Sequence, residues 1–234
     1  YSQSTQMTSF VPTAVNDVVA RVAYPIECEL QDNEEELQRR FFQMLRMTCF
    51  VLFPLMMGLA ALAEPVVRLL LTDKWIETVP LIRILCFAWI WWPASNMSWQ
   101  LLNAKHRSDY CLKAEIIKKV IAISILVFSL FWGIKVVCIG MLLYYVADVY
   151  VITVFSARVL PGVTFASEMK SMLPILAYAA VMGTGVYLLD HMISSDAVSL
   201  AAGTAAGIVL YMAVTLLTGS REAWYLLEMI KKRR

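Results

Sequence analysis

The sequence predicts an all-α protein, a polytopic transmembrane helical bundle of about seven helices. Three observations carry that prediction. Of the 234 residues, 60% are hydrophobic and 16% charged, with a mean hydropathy of +0.66. A water-soluble domain of this length needs a larger charged share to cover its surface. The apolar residues also come in long continuous runs. At ~1.5 Å per residue, such runs match a hydrocarbon core of roughly 30 Å. A transmembrane barrel would show short alternating segments instead. The third observation is the placement of Lys and Arg. If 27–40, 105–119, 157–171 and 220–234 share one side, that side holds fourteen of them, and the other side holds only Arg68, Lys74 and Lys135. Arg21, Arg46 and Arg83 fall within spans. This bias marks the cytosolic side, so the C-terminus is expected to be cytoplasmic.

The elements follow in order. The first expected span, 5–26, contains Pro12, Asn16, Asp17 and Arg21. Asp17 and Arg21 are four apart and share a helix face, where they can neutralise each other. A charge in a spanning helix costs several kcal/mol, of order 3 on insertion scales, unless paired or hydrated. The pair is therefore expected to face protein or water. Residues 27–40 read as a polar loop running into a helix start. Asn33 is placed to cap it, and Glu34, Glu35 and Glu36 suit the positive end of the helix dipole. The second span, 41–63, carries Arg46 near its cytosolic end, Pro54 as a kink and Gly58 as a point of close approach. Residues 64–78 are too charged to cross and read as a short interfacial helix with Trp75 at the water boundary.

The third span, 79–103, holds Trp89, Trp91, Trp92 and Pro93 near its middle. It also holds Arg83, Ser95, Asn96, Ser98, Gln100 and Asn103. A lipid-facing helix needs none of these polar groups. A basic hairpin, 105–119, leads to the fourth span, 116–131, which turns at Trp132-Gly133. The fifth, 136–155, contains Asp148, with Tyr144, Tyr145 and Tyr150 close by in sequence. A mid-span carboxylate is either a functional group or a hydrogen-bonded structural one. A loop at 157–171 precedes the sixth span, 172–189. The turn 190–198 leads to the seventh, 199–217, whose Gly203 and Gly207 permit close helix packing. The tail 220–234 is amphipathic and ends in KKRR, suited to anionic headgroups.

Soluble enzyme chemistry has little support in the sequence. Five cysteines are scattered without a C-x-x-C pair, and an odd number cannot pair completely. Only two histidines are present, His106 and His191. There is no metal-ligand spacing, no nucleophile with a base, and no phosphate-binding glycine loop. Neither a cofactor, a metal nor a nucleic-acid partner is expected.

Several stretches together resemble a known family. They are Pro12 with Tyr24-Pro25, then LQDNEEELQRRFFQMLR, FPLMMGLAALAEPVVRLLLTDKW and LLNAKHRSDYCLKAEIIKK. This pattern resembles the Wzx-type polysaccharide flippases, which handle O-antigen, capsule and exopolysaccharide repeat units. They belong to the MOP exporter superfamily with MATE transporters and lipid II flippases. The likeness is dense from Tyr1 to about Lys119 and beyond that is a matching rhythm of spans.

The resemblance implies a fourteen-helix fold of two lobes, of which this chain supplies the C-terminal half. Residues 1–158 would be the C-terminal transport lobe, 159–219 two additional helices, and 220–234 a cytosolic basic tail. The chain is then expected to be part of a larger transporter, with an N-terminal lobe as a necessary partner. The implied substrate is an undecaprenyl-pyrophosphate-linked oligosaccharide, moved across the bacterial inner membrane by alternating access with H+ or Na+ coupling. Membrane lipids, a polysaccharide polymerase and its assembly machinery are the other implied partners. In this reading Arg21 and Arg83 face the pyrophosphate, because a guanidinium matches phosphate oxygens. Asn96, Gln100 and Asn103 bind sugar hydroxyls. Asp17 and Asp148 serve ion coupling.

Two other functions compete. A MATE-like drug or cation antiporter would call for a more acidic interior than Arg21, Arg46 and Arg83 set against Asp17 and Asp148. A membrane-embedded polysaccharide polymerase or ligase would call for a large outer loop, and the longest here is 64–78. A non-transporting membrane scaffold is compatible with the chain alone.

Overall fold

The computed structural model describes residues 2–30, 33–71, 73–193, 195–220 and 222. In the first helix the side chains at 2, 3, 7, 11, 16–18 and 20–26 lie outside the description. The described residues form nine α-helices: α1 (Ser2–Glu29), α2 (Glu34–Ala61), α3 (Ala63–Leu71), α4 (Val79–Trp89), α5 (Trp92–Ala104), α6 (Ser108–Leu130), α7 (Ile134–Val159), α8 (Phe165–Asp190) and α9 (Asp196–Leu217). A 3-10 turn, Asp73–Thr78, joins α3 to α4. No strand occurs among the described residues. The all-α, multi-span class expected from the sequence is the class observed.

Setting aside the nine-residue α3 and taking α4 and α5 as one crossing gives seven, in register with the seven expected. Five are both long and apolar enough to cross a membrane: Glu34–Ala61, Asp73–Ala104, Ile134–Val159, Phe165–Asp190 and Asp196–Leu217. α1 and α6 are not among these five. α1 includes Asn16, Asp17 and Arg21, and α6 carries Lys113, Glu115, Lys118 and Lys119 in its first three turns.

Local chemistry explains where the helices begin and break. Asn33 caps α2, its side chain accepting from the Glu36 N–H at 3.1 Å. Three glutamates then occupy the first turn. Much of the expected 27–40 loop is therefore helical. The expected third span is broken at Ile90 and Trp91. Pro93 has no N–H to give and crowds the carbonyl four residues back, so one continuous helix cannot form. The basic hairpin contracts to a turn at 105–107, with His106 at φ 55, and the rest of 105–119 is α6. Arg107 closes this turn on Asp109 at 2.9 Å, and that bond holds the Asp109 carboxyl below its usual range. Gly133, at φ 92, makes the turn between α6 and α7 in a conformation that other residues rarely adopt. The 157–171 loop shrinks likewise. Thr164 and Ser167 form a reciprocal capping box, which starts α8 at Phe165.

α2 is the hub. Its Leu37, Phe41, Leu45, Phe53 and Met56 are fully buried. They share one core with Ile82 of α4, Ala94 and Met97 of α5, and Ile175, Ala179 and Met182 of α8. α6 is peripheral and turns Ile116, Val120, Ile123, Val127 and Phe128 outward. In a bilayer, that face meets acyl chains.

The glycines of α9 act as the sequence suggested. A Cβ on Gly203 would lie 2.7 Å from the Leu62 side chain and 3.4 Å from Val186, and one on Gly207 would lie 3.3 Å from Val186. α9 therefore seats closely on α8 and on the end of α2. Tyr211 of α9 adds a directional tie by donating to the Phe50 carbonyl at 2.9 Å. Gly203→Val should push α9 off this seat and destabilise the fold by about 1–3 kcal/mol. Thermal unfolding in detergent measures the loss, and an unchanged midpoint would show that α9 is not held there.

Candidate functional site

Buried polar side chains of α5, α6, α7 and α8 meet in one network. Two serines on α5 organise it, Ser95 and Ser98, three apart and hence on one face. Ser95 donates to the Asp148 carboxylate of α7. Ser98 Oγ donates to Glu168 Oε1 of α8 at 2.7 Å. The other Asp148 oxygen is held by Lys118 Nζ of α6 at 2.7 Å. Thr153 Oγ1 of α7 lies 2.9 Å from Glu168 Oε2, and Ser156 Oγ donates to the Ser98 carbonyl at 3.3 Å. All of these side chains are buried.

Asp148 is thus hydrogen-bonded and ion-paired within the bundle. Its charge is balanced by an ammonium that is itself 5% exposed. The same ammonium stands 3.7 Å from Glu115 and 5.5 Å from the centre of the Trp99 ring, over which a cation is favoured. Lys118 was expected in the cytosolic hairpin. It is instead on the inward stripe of α6, with Cys111 and Ala114.

The other expected site residues are spread more widely. Arg83 of α4 donates from Nε to the Ala60 carbonyl at 3.2 Å and lies 5.4 Å from the centre of the Tyr187 ring. It sits on the far side of the 90–91 break from the amides of α5. Asn96 and Asn103 are half-buried on α5, and Asn103 Oδ1 accepts from the Cys111 thiol at 3.6 Å. Gln100 is 7% exposed, and neither its oxygen nor its nitrogen has a hydrogen-bond partner among the described residues. The side chains of Asp17 and Arg21 lie outside the described ones. Arg46, expected to snorkel toward water, pairs with Glu222 just beyond α9.

Sequence reasoning missed two buried acids. Glu168 fell in an expected loop. The Thr-x-x-Ser pattern at 164–167, which moves the helix start back to Phe165, is the signal that could have found it. Glu27, also assigned to a loop, is fully buried in the last turn of α1, and neither carboxylate oxygen has a partner among the described residues.

The Asp148–Lys118 bond makes a clear energetic demand. Removing one partner of a buried ion pair typically costs about 3–5 kcal/mol, because the other charge is stranded. Lys118→Met should therefore lower the unfolding midpoint strongly. Lys118→Met combined with Asp148→Leu should recover most of the loss. A single variant as stable as the parent, measured by thermal unfolding in the same detergent, would contradict the pairing.

Comparisons with known proteins agree with this architecture. Residues 1–80 match a family model described as "Polysaccharide biosynthesis protein". An uncharacterised membrane protein in the cps region of Klebsiella pneumoniae is 30% identical over 133 residues, 57% of this chain and 27% of that protein. The lipopolysaccharide biosynthesis protein WzxC of Escherichia coli is 29% identical over 46% of this chain and 22% of its own length. The teichuronic acid biosynthesis protein TuaB of Bacillus subtilis is 28% identical over 47% of this chain and 23% of its own. The inward closed structure of the lipid II flippase MurJ superposes with a TM-score of 0.72 at 17% identity, covering 92% of this chain and 46% of MurJ. The matched stretches thus span about a quarter of the curated relatives, and under half of that structure. The resemblance to Wzx-type proteins, drawn from the residues alone, is borne out by these relatives, and the fold is one shared with MurJ.

Proposed function

We propose that this chain is the C-terminal portion of a transporter that flips undecaprenyl-pyrophosphate-linked oligosaccharide repeat units across the bacterial inner membrane by alternating access, for polysaccharide biosynthesis and export. What carries the reading is a coincidence within one chain. Its sequence relatives are named for lipopolysaccharide and teichuronic acid biosynthesis, and its fold is that of half a lipid flippase. The name of the structural neighbour, a flippase, favours a transporter over an enzyme.

In this reading 1–158 is the transport lobe, 159–219 forms two accessory helices, and 220–234 is a cytosolic basic tail, all of which but residues 220 and 222 lies outside the described residues. The charge bias supports a cytoplasmic C-terminus. An N-terminal lobe completes the cavity, and a polysaccharide polymerase and its assembly machinery receive the product. Arg21 and Arg83 supply guanidinium groups for the pyrophosphate. Asn96, Gln100 and Asn103 supply amides for sugar hydroxyls. Gln100 is the best supported of these, because a buried amide with no partner among the described residues is costly unless something else satisfies it. Asp17 and Asp148 serve coupling to H+ or Na+. At Asp148 an external cation would have to compete with Lys118.

Two experiments test this reading in the intact transporter. Arg21→Ala should abolish surface polysaccharide while leaving the protein in the membrane; undiminished polysaccharide would remove Arg21 from the site. Asp148→Asn should weaken the dependence of flipping on the ion gradient. Flipping into vesicles that persists equally after collapse of the proton and the sodium gradients, each in turn, would remove ion coupling.

A further inference from the structure

Glu168 stands apart from the other buried acid of the network. Asp148 has Lys118; Glu168 is fully buried, and among the described residues its carboxyl oxygens meet only hydroxyls, those of Ser98 and Thr153. No ion pair to it is seen among the described residues. Among the described residues, the charged or titratable groups on the elements packed around it are engaged elsewhere or exposed. On α2, Arg46 is taken by Glu222, and Cys49 is a buried thiol. On α6, Lys118 is taken by Asp148. On α7, Arg158 is exposed and lies over the Phe155 ring. On α8 itself, Lys170 is exposed, and on α9 the nearest titratable group, Tyr211, donates to the Phe50 carbonyl.

The hydrogens of the cluster can be counted. A threonine hydroxyl has one hydrogen to donate. Thr153 Oγ1 lies 2.7 Å from the Val149 carbonyl and 2.9 Å from Glu168 Oε2. It cannot donate to both. If its hydrogen goes to Val149, the contact with Glu168 is a hydrogen bond only when Oε2 carries a proton and donates to Thr153. If Glu168 loses that proton, Thr153 can rotate its hydrogen onto Oε2. The Val149 carbonyl then keeps its helical bond from the Thr153 N–H. Both charge states are therefore satisfied without moving a heavy atom, and Ser98 donates to Oε1 in each.

We propose that Glu168 is a proton-binding site, with Thr153 as a hydroxyl rotor that exchanges donor for acceptor as the proton leaves and returns. With the proton bound, the cluster of α5, α7 and α8 is neutral. With the proton gone, it holds a buried charge that no described cation offsets, which disfavours that packing. Protonation is thereby linked to the seating of α8 against α5 and α7. Its use in transport rests on the function proposed above; the proton site itself does not.

Infrared difference spectroscopy of the liposome-reconstituted protein, taken between acid and alkaline buffer, tests the site directly. The expected result is a carbonyl band of a buried protonated carboxylic acid that disappears reversibly on alkalinisation. Glu168→Gln should abolish it. Thr153→Val, which removes the rotor, should shift the band without abolishing it. Asp148→Asn should leave it in place. A wild-type protein without the band at any pH, or a band that survives Glu168→Gln, would overturn the proposal. So would a band removed by exchanging potassium for sodium at constant pH, since that would make the site a sodium site. A titrating Glu168 in a protein that flips no glycan lipid would instead sink the function and leave the proton site standing.

Discussion

Hydrocarbon offers a polar group no partner, so Asp148 and Glu168, carried into the bilayer, are answered by other helices. That demand shapes the bundle more than any single apolar contact. Ser95 answers Asp148 and Ser98 answers Glu168, which ties α5 to α7 and α8. Lys118 draws α6 onto α7 through the same carboxylate. Apolar packing alone would let these helices rotate or slide at small cost, whereas the polar pairs fix their register. α6 shows this most clearly. Most of its bulky residues face outward, and its attachment depends on one narrow stripe that includes an ammonium.

The other half of the bundle is held by shape. α2 lies at the centre, with α8 along it and α9 seated on both through the small surfaces of Gly203 and Gly207. In a membrane, lipid competes for every apolar contact, so such close approach is what favours helix on helix over helix on lipid. The two modes divide the molecule: directional bonds where α5, α6 and α7 meet, and close packing where α2, α8 and α9 meet. Glu168 stands at the junction, on a helix that belongs to both.

The number and order of the spans were legible because long apolar runs separated by charge leave few alternatives. The Asn33 cap and the packing glycines were legible because each rests on a few neighbouring residues. The break at Ile90 was only half legible. Pro93 was noted, but the run around it is apolar on both sides, and hydropathy does not register a missing hydrogen bond. The buried partners were not legible at all. Lys118 is one of five basic residues in a short stretch, and only the position of α7 tells it apart from its neighbours. Glu168 lies beyond a Pro-Gly turn in a polar stretch, where an acid is ordinarily solvated. Which acid meets a cation and which meets hydroxyls depends on residues 15 to 70 positions away, and no local pattern encodes that.

The interruption at residues 90 and 91 has a geometric consequence. The upper half of this crossing is fastened to α2 by Arg83 and the Ala60 carbonyl, while the lower half is fastened to α7 and α8 by its serines. Both pieces pack on α1 and α7; what differs is the polar tie each one makes. The break gives each piece its own axis, so the guanidinium can meet a carbonyl of α2 while the serines meet two carboxylates, demands that one straight helix would have to satisfy in a single register.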